Sequence, residues 1–244
     1  MRLRGVYPTR SSPCRIPRAA DSIAVMTEAP SDRTRVHRHP ERGLYDRGTI
    51  DAILDEALIC HLAWVTPEGE PRVIPTIHVR VDDVLYVHGS QASRTLRAIR
   101  GGANVCIETT IIDGLVLARS TPKHSMNYRS VVVFGAPREV TDRDEMHVAQ
   151  RALAEHVVRG RGADARPPND MEYKETAIFA LPLDEASAKV RTGPPLDPDE
   201  DLALDVWAGV IPIRTVAGVP EPAPDLKAGI DPPSYVTDYS RSGR

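Results

Sequence analysis

The sequence predicts a mainly β domain in which six or more antiparallel strands close into a barrel, with short flanking helices. Three observations predict it. Short apolar runs rich in Val and Ile recur from residue 59 onward. Turn signals punctuate them at Pro67-Glu68-Gly69-Glu70, Asp82-Asp83 and Asp113-Gly114. Closing such a meander into a barrel removes the unpaired edges that an open sheet would expose.

Each element has its own reason. Thr49 is read as the cap of a first helix, because Ile50, Ile53, Leu54, Ala57 and Leu58 then share one face at helical spacing. Strands at 59–66 and 73–81 flank the Pro67 to Glu70 turn as a hairpin, and Asp82-Asp83 leads into a strand at 84–88. A short helix over 94–99 ends at Gly101-Gly102, ahead of a strand at 104–112. Asp113-Gly114 reads as a hairpin turn into a strand at 115–119. A loop holding Pro122, Lys123 and His124 then precedes a strand over 128–140. Thr141 with Asp144 suggests a capping box for a third helix that turns Met146, Ala149, Leu153 and Val157 inward. A polar loop over 160–170 leads to strands near 177–181, 188–191 and 207–213.

With 244 residues, 41% apolar content and a net charge of −3, the chain fits one domain over residues 41–213 between an N-terminal tail, 1–40, and a Pro-rich C-terminal tail, 214–244. The first forty residues are rich in Arg, Pro and Ser, lack the apolar core of a secretory signal, and contain a second methionine, Met26, that suits a later start. The C-terminal tail is too polar and too rich in proline to offset its ordering entropy by burial, unless it drapes over a partner subunit. Basic residues are interspersed with acids and only 5% of residues are aromatic, so no nucleic-acid surface is expected. No apolar run approaches the roughly 20 residues that span a bilayer. Cys14, Cys60 and Cys106 make an odd count, which suits a reducing cytoplasm, and without C-x-x-C or H-E-x-x-H spacing a structural or hydrolytic zinc site has little support.

Chemistry concentrates in two places. His88-Gly89-Ser90 followed by Ser93-Arg94 joins a strand end to a helix start, where glycine, hydroxyls and a guanidinium suit a phosphate. Asn127-Tyr128-Arg129-Ser130 opens a long apolar strand with a second cationic, hydroxyl-rich cluster. Alone, a Ser-x-x-Ser-Arg start is ordinarily a capped helix with a solvated arginine. Its company changes the reading: Val-Ile-Pro-Thr-Ile-His at 73–78, His-Gly-Ser-Gln-Ala-Ser-Arg at 88–94, Tyr-Arg-Ser-Val-Val-Val-Phe-Gly at 128–135 and Trp-Ala-Gly-Val-Ile-Pro at 207–212.

That series resembles the flavin-binding split-barrel family related to pyridoxamine phosphate oxidase, in particular its bacterial branch that includes nitroimidazole-resistance proteins. The resemblance covers about residues 45–213 and implies a six-stranded antiparallel split barrel. It implies a homodimer with FMN at the subunit interface. His88, Ser90, Ser93, Arg94, Tyr128, Arg129 and Ser130 would then hold the phosphate, with Lys123 close to the flavin. The ring edge would run along Pro75, Thr76, Ile77 and His78, and Trp207 would come from the last strand. The oxidase proper carries Arg-Lys at the phosphate turn where this chain has Arg94-Thr95, and its substrate-phosphate signature is missing, which argues against pyridoxamine phosphate as substrate.

With FMN bound, the implied activity is an oxidoreductase acting on a small molecule, with a nicotinamide or deazaflavin donor. His78 and His124 are the catalytic candidates, since a cation or N-H near the ring favours its reduced state. The competing readings are a structural His78, a solvated Lys123 and His124, and a merely packed Trp207. His61, beside Cys60 in an apolar strand, is read as core. Two alternatives to an enzyme stand: a flavin store without turnover, and a haem-binding barrel, for which eight histidines offer axial ligands.

Overall fold

The computed structural model describes residues 28–241. In chain order the elements are β1 (Gly43–Leu44), α1 (Arg47–Glu56), β2 (Cys60–Val65), β3 (Pro71–Thr76), β4 (His78–Val81), β5 (Val84–Ser90), α2 (Arg94–Arg100), β6 (Val105–Leu117), β7 (Ser125–Gly135), β8 (Arg138–Glu139), α3 (Arg143–Val157), α4 (Arg161–Asp164), α5 (Asp170–Glu175), β9 (Thr176–Pro182), β10 (Ala186–Arg191), β11 (Gly209–Pro212) and α6 (Ser234–Thr237). Every strand pair is antiparallel. One sheet runs β1-β10-β7-β6-β2-β3 with β11 added on β6, and the other runs β4-β5-β9-β8.

Alternation along the strands builds the core between these sheets. Cys60, Leu62 and Trp64 of β2 meet Leu85 and Val87 of β5, Ile107 of β6, Val131 of β7 and Phe179 of β9. Ile50, Ile53 and Leu54 of α1 join the same core. The opposite face of the small sheet buries Val79, Tyr86 and Ile178 under Ala149 and Leu153 of α3. Fully burying such aliphatic side chains stabilises by about 1.5–3 kcal/mol each, so this two-layer interior dominates stability.

Several expected boundaries move. Asp46, not Thr49, caps α1: its carboxylate accepts the Thr49 N–H at 2.8 Å. The strand expected over 73–81 breaks at Ile77, so that β3 stays in the large sheet and β4 starts the small one. Asp113-Gly114 is no hairpin turn. β6 runs straight through it with a bulge opposite β7, and the Gly114 position is pressed against Val210 of β11. α3 is capped by Asp142 rather than Thr141, and it buries His156 while Val157 stays exposed. α5 was not expected within or after the polar loop; Asn169 and Glu172 cap it reciprocally.

Cys14 and most of the expected N-terminal tail lie outside the described residues. From Ser31 the chain packs onto the barrel, with Arg33 over the Phe134 ring at 5.5 Å and bonded to Glu185 at 3.1 Å. Residues 214–233 are exposed and hold no helix or strand. The C-terminal segment is nevertheless anchored at its end, where the Arg241 guanidinium donates to the carbonyls of Asp55, Glu56 and Ala57 and so caps the end of α1. Among the described residues no helix is long and apolar enough to cross a membrane.

Candidate functional site

The β2–β3 hairpin and α2 enclose a cleft of about 590 Å³. Its apolar side is Trp64, Ile74 and Ala98, and its polar side is Arg72, Arg94, Arg97, Glu68 and Glu70. Arg72 is ion-paired with Glu70. No ion pair or hydrogen bond among the described residues engages the side chains of Arg94 and Arg97, one turn of α2 apart. An apolar floor with unneutralised guanidiniums at its rim suits a flat, anionic ligand. The size is also within the range of small-molecule sites.

Strand order adds a second feature. β3 is the last strand of the large sheet, so one side of its backbone has no partner strand. The backbone groups of Val73 to Thr76 that point away from β2, less the N–H that Pro75 lacks, are therefore available to the polar edge of a ring system. Pro75, Thr76 and Ile77 lie on or next to this edge, Pro75 exposed and the other two half-buried.

The remaining sequence candidates scatter. His88-Gly89-Ser90 is strand rather than turn: the three pair with Ile178, Ala177 and Thr176 of β9. Gly89 packs against Leu96 of α2, where an added Cβ would lie 3.0 Å from the leucine. His88 alternates to the other face, half-buried, and burial pushes its pKa below the ordinary histidine value. Ser93 precedes α2 without a side-chain cap bond.

His78 does not reach the cleft. It is fully buried, with Nε2 bonded to the Leu54 carbonyl at 2.9 Å and its ring 5.0 Å from that of His156. Burial lowers its pKa, partly opposed by that carbonyl. His78 is a core residue in this fold, which removes it as a catalytic group. Lys123 and His124 lie on an exposed turn, where His124 Nδ1 bonds the Ser120 carbonyl at 3.1 Å. Trp207 is 66% exposed, ahead of β11, with its ring over Gly209.

Arg129 is the main correction. Its Nε and Nη2 donate to Asp113 at 2.9 and 2.8 Å, while Nη1 and Nη2 donate to Glu56 at 2.5 and 2.8 Å. The hydrogen bonds of Glu56 and then Asp113 raise its pKa further and hold it charged. Doubly neutralised on the core face, it is a structural ion cluster and offers a phosphate little. Tyr128 and Ser130 alternate to the opposite face, where Ser130 donates to the Lys189 carbonyl at 3.3 Å. The two clusters seen in the sequence thus do not meet within one chain.

The structure reverses one expectation. His61 is not core: β2 alternates strictly, Cys60, Leu62 and Trp64 are buried, and the His61 side chain is 48% exposed on the outer face. That alternation was legible once Cys60 was placed inside. Cys60 itself is inert, its thiol pushed up to about 12 by burial.

A match to the family described as Pyridoxamine 5'-phosphate oxidase covers residues 46–190, from the cap of α1 through most of β10. The chain belongs to the pyridoxamine 5'-phosphate oxidase family. Within the family's split-barrel fold, the flavocytochrome Anf3 from Azotobacter vinelandii is 38% identical, with a TM-score of 0.82 over 88% of this chain and 99% of that one. The FAD and haem binding protein from Mycobacterium smegmatis is 36% identical, with a TM-score of 0.77 over 81% of this chain and 96% of its own. A putative 5-nitroimidazole antibiotic resistance protein from Bacteroides thetaiotaomicron shares the fold at 23% identity and a TM-score of 0.52, over 61% of this chain and 86% of that one. No curated protein matches the sequence.

Proposed function

We propose that this chain binds a flavin nucleotide in the cleft between the β2–β3 hairpin and α2 and acts as a flavin-dependent oxidoreductase on a small molecule. The observation that carries the reading is the pairing of an apolar floor, Trp64 and Ile74, with the unengaged guanidiniums of Arg94 and Arg97 beside a free sheet edge. Two relatives above 35% identity carry flavin in their names or descriptions, which supports the same cofactor class. FMN was expected from the sequence; the relative described as binding FAD makes that nucleotide the second possibility.

When bound, the flavin supplies the redox chemistry. The chain's residues bind and orient it: Arg94 and Arg97 neutralise phosphate, Trp64 and Ile74 exclude water from one side, and the β3 edge fixes the ring's polar rim. A homodimer fits the outer face of the large sheet, where Val65 and Val73 are 58% and 63% exposed, and the exposed Val216 and Val219 of the C-terminal segment. Nicotinamide or deazaflavin remains the donor class to assay.

The test is a titration of the purified chain with FMN and with FAD, followed by flavin fluorescence. A charged hydrogen bond contributes about 1.5–3 kcal/mol, so Arg94→Ala should weaken binding by roughly 10- to 100-fold. Unchanged affinity in Arg94→Ala and Arg97→Ala would remove the site from this cleft. Reoxidation of the reduced flavin by a substrate, against idle bound flavin, separates enzyme from store. A second reading, haem in addition to flavin, is favoured by both relatives' descriptions.

A further inference from the structure

We propose that residues 214–233 form a clasping arm, which each copy of the homodimer lays across the outer face of its partner's large sheet. The proposal rests on the homodimer reading above and names the element that makes the contact, outside the residues that the family match covers.

Both ends of the arm are fixed at one corner of the barrel. The Ile213 N–H donates to the Asp113 carbonyl at 3.0 Å, and the Arg241 guanidinium donates to the Glu56 carbonyl at 2.8 Å. Arg129 holds the carboxylates of the same two residues together. Between these anchors residues 214–232 make one backbone bond, from the Leu226 N–H to the Ala223 carbonyl, and among the described residues no hydrogen bond or ion pair to the body. Val219-Pro-Glu-Pro-Ala-Pro stiffens the arm toward the extended polyproline conformation, which lowers the entropy that docking costs. About ten residues out and ten back, at about 3.1 Å each, reach roughly 30 Å. That matches the width of the row β1-β10-β7-β6-β2-β3 at about 4.8 Å per strand.

Exposed apolar side chains gather on two surfaces. Among the described residues twenty large ones are exposed; eleven lie in 196–230, and four more, Val65, Val73, Ile112 and Met126, share the outer face of the large sheet. Val216 and Val219 are 82% and 89% exposed, although the arm leaves from β11, a strand of that same sheet. Two such surfaces, each left open by its own fold, are the halves of an isologous contact. Charge selects the same pairing. Residues 196–233 hold eight carboxylates against two cations, Arg214 and Lys227, and among the described residues only Asp197 of the eight has an ion-pair partner. On the outer face Lys189, opposite Ser130, has no carboxylate partner among the described residues. Arg191, at the end of the same strand, is buried against the Asn127 amide and the carbonyls of Gly193 and Pro194, again without a carboxylate. An acidic, apolar arm thus meets a face that offers valines toward β3 and uncompensated cations toward β10. The same acid excess opposes docking on an anionic lipid surface.

Sedimentation velocity across a dilution series is run on the full chain, on the double variant Val216→Asp with Val219→Asp, and on Lys189→Glu, with flavin titrated into the same samples. Both valines face solvent in the single copy, so the double variant keeps its fold, which circular dichroism checks. The wild-type chain should dimerise. The double variant should raise the dissociation constant at least about 100-fold, since two apolar side chains are lost from each of two arms. Lys189→Glu should raise it about tenfold at low salt, and the difference should shrink as added salt screens the charges. If the wild-type chain dimerises and either variant leaves the dissociation constant unaltered, the arm assignment falls while the homodimer reading stands. A wild-type chain that stays monomeric at every concentration removes both, while flavin bound by that monomer keeps the cleft reading.

Discussion

Replacing Arg129 by methionine separates two roles that the sequence alone confounds. The side chains of Arg129, Glu56 and Asp113 are 19%, 31% and 29% exposed, and four hydrogen bonds tie the guanidinium to the two carboxylates. Removing the cation leaves two carboxylates facing each other across the space it filled. Breaking a buried pair costs about 3–5 kcal/mol, and water reaching carboxylates about a third exposed recovers part of that, which leaves about 2–3 kcal/mol. For a domain of this size the loss lowers the melting temperature by roughly 4–12 °C. The assay is thermal unfolding of the flavin-free chain by circular dichroism, beside a flavin titration below the transition. An unaltered melting temperature combined with a tenfold loss of flavin affinity would refute the structural role and restore Arg129 as a phosphate ligand.

Two further outcomes follow from the same geometry. His78 and His88 have pKa values below the ordinary 6.5, so their contribution to stability is complete above that value and is lost as the pH falls through it, when the unfolded chain takes up protons the folded one refuses. Denaturant midpoints of His78→Asn should therefore vary less between about pH 7 and 5 than those of the wild type. In Gly114→Ala the new Cβ would lie 2.9 Å from Val210 Cγ1 and 3.1 Å from the Ile211 carbonyl oxygen, which forces β11 away from β6 at about 1–3 kcal/mol; faster amide exchange confined to residues 209–212 is the expected sign.

Much of the barrel was legible because alternation is a local signal. β2, β5, β9 and β10 were found near their true limits: β2 alternates strictly, while β9 is a short continuous apolar run, burying Ile178, Phe179 and Ala180 in succession, and both patterns are read from neighbouring residues alone. The misread positions depend on partners distant in sequence. Asp113-Gly114 has the composition of a hairpin turn, and it becomes a bulge because β7 pairs with β6 on both sides of it. The strand at 73–81 had to break at Ile77, since its two halves belong to different sheets, and no local preference marks that change of sheet. Caps shifted by one to three residues because the carboxylates of Asp46 and Asp142, not the hydroxyls of Thr49 and Thr141, accept the first-turn N–H groups.

The site was harder to read, and the reason is the sign of charge at a distance. Arg94 and Arg129 look alike in sequence, each beside serines at the edge of an apolar stretch. What separates them is the carboxylates that folding delivers: Glu56 arrives from α1, 73 residues away, and Asp113 from 16 residues away across the bulge, whereas nothing among the described residues neutralises Arg94. A guanidinium already engaged by two carboxylates must lose both to bind phosphate, while an unengaged one at a cleft rim loses only water. The same logic applies to the histidines. His78 and His61 both sit on short strands, but α1 places the Leu54 carbonyl on His78 in a sealed core, and β6 places Glu108 beside His61 on an open face. Residue type alone does not separate the members of either pair; the partner each one meets after folding decides whether it can still bind a ligand.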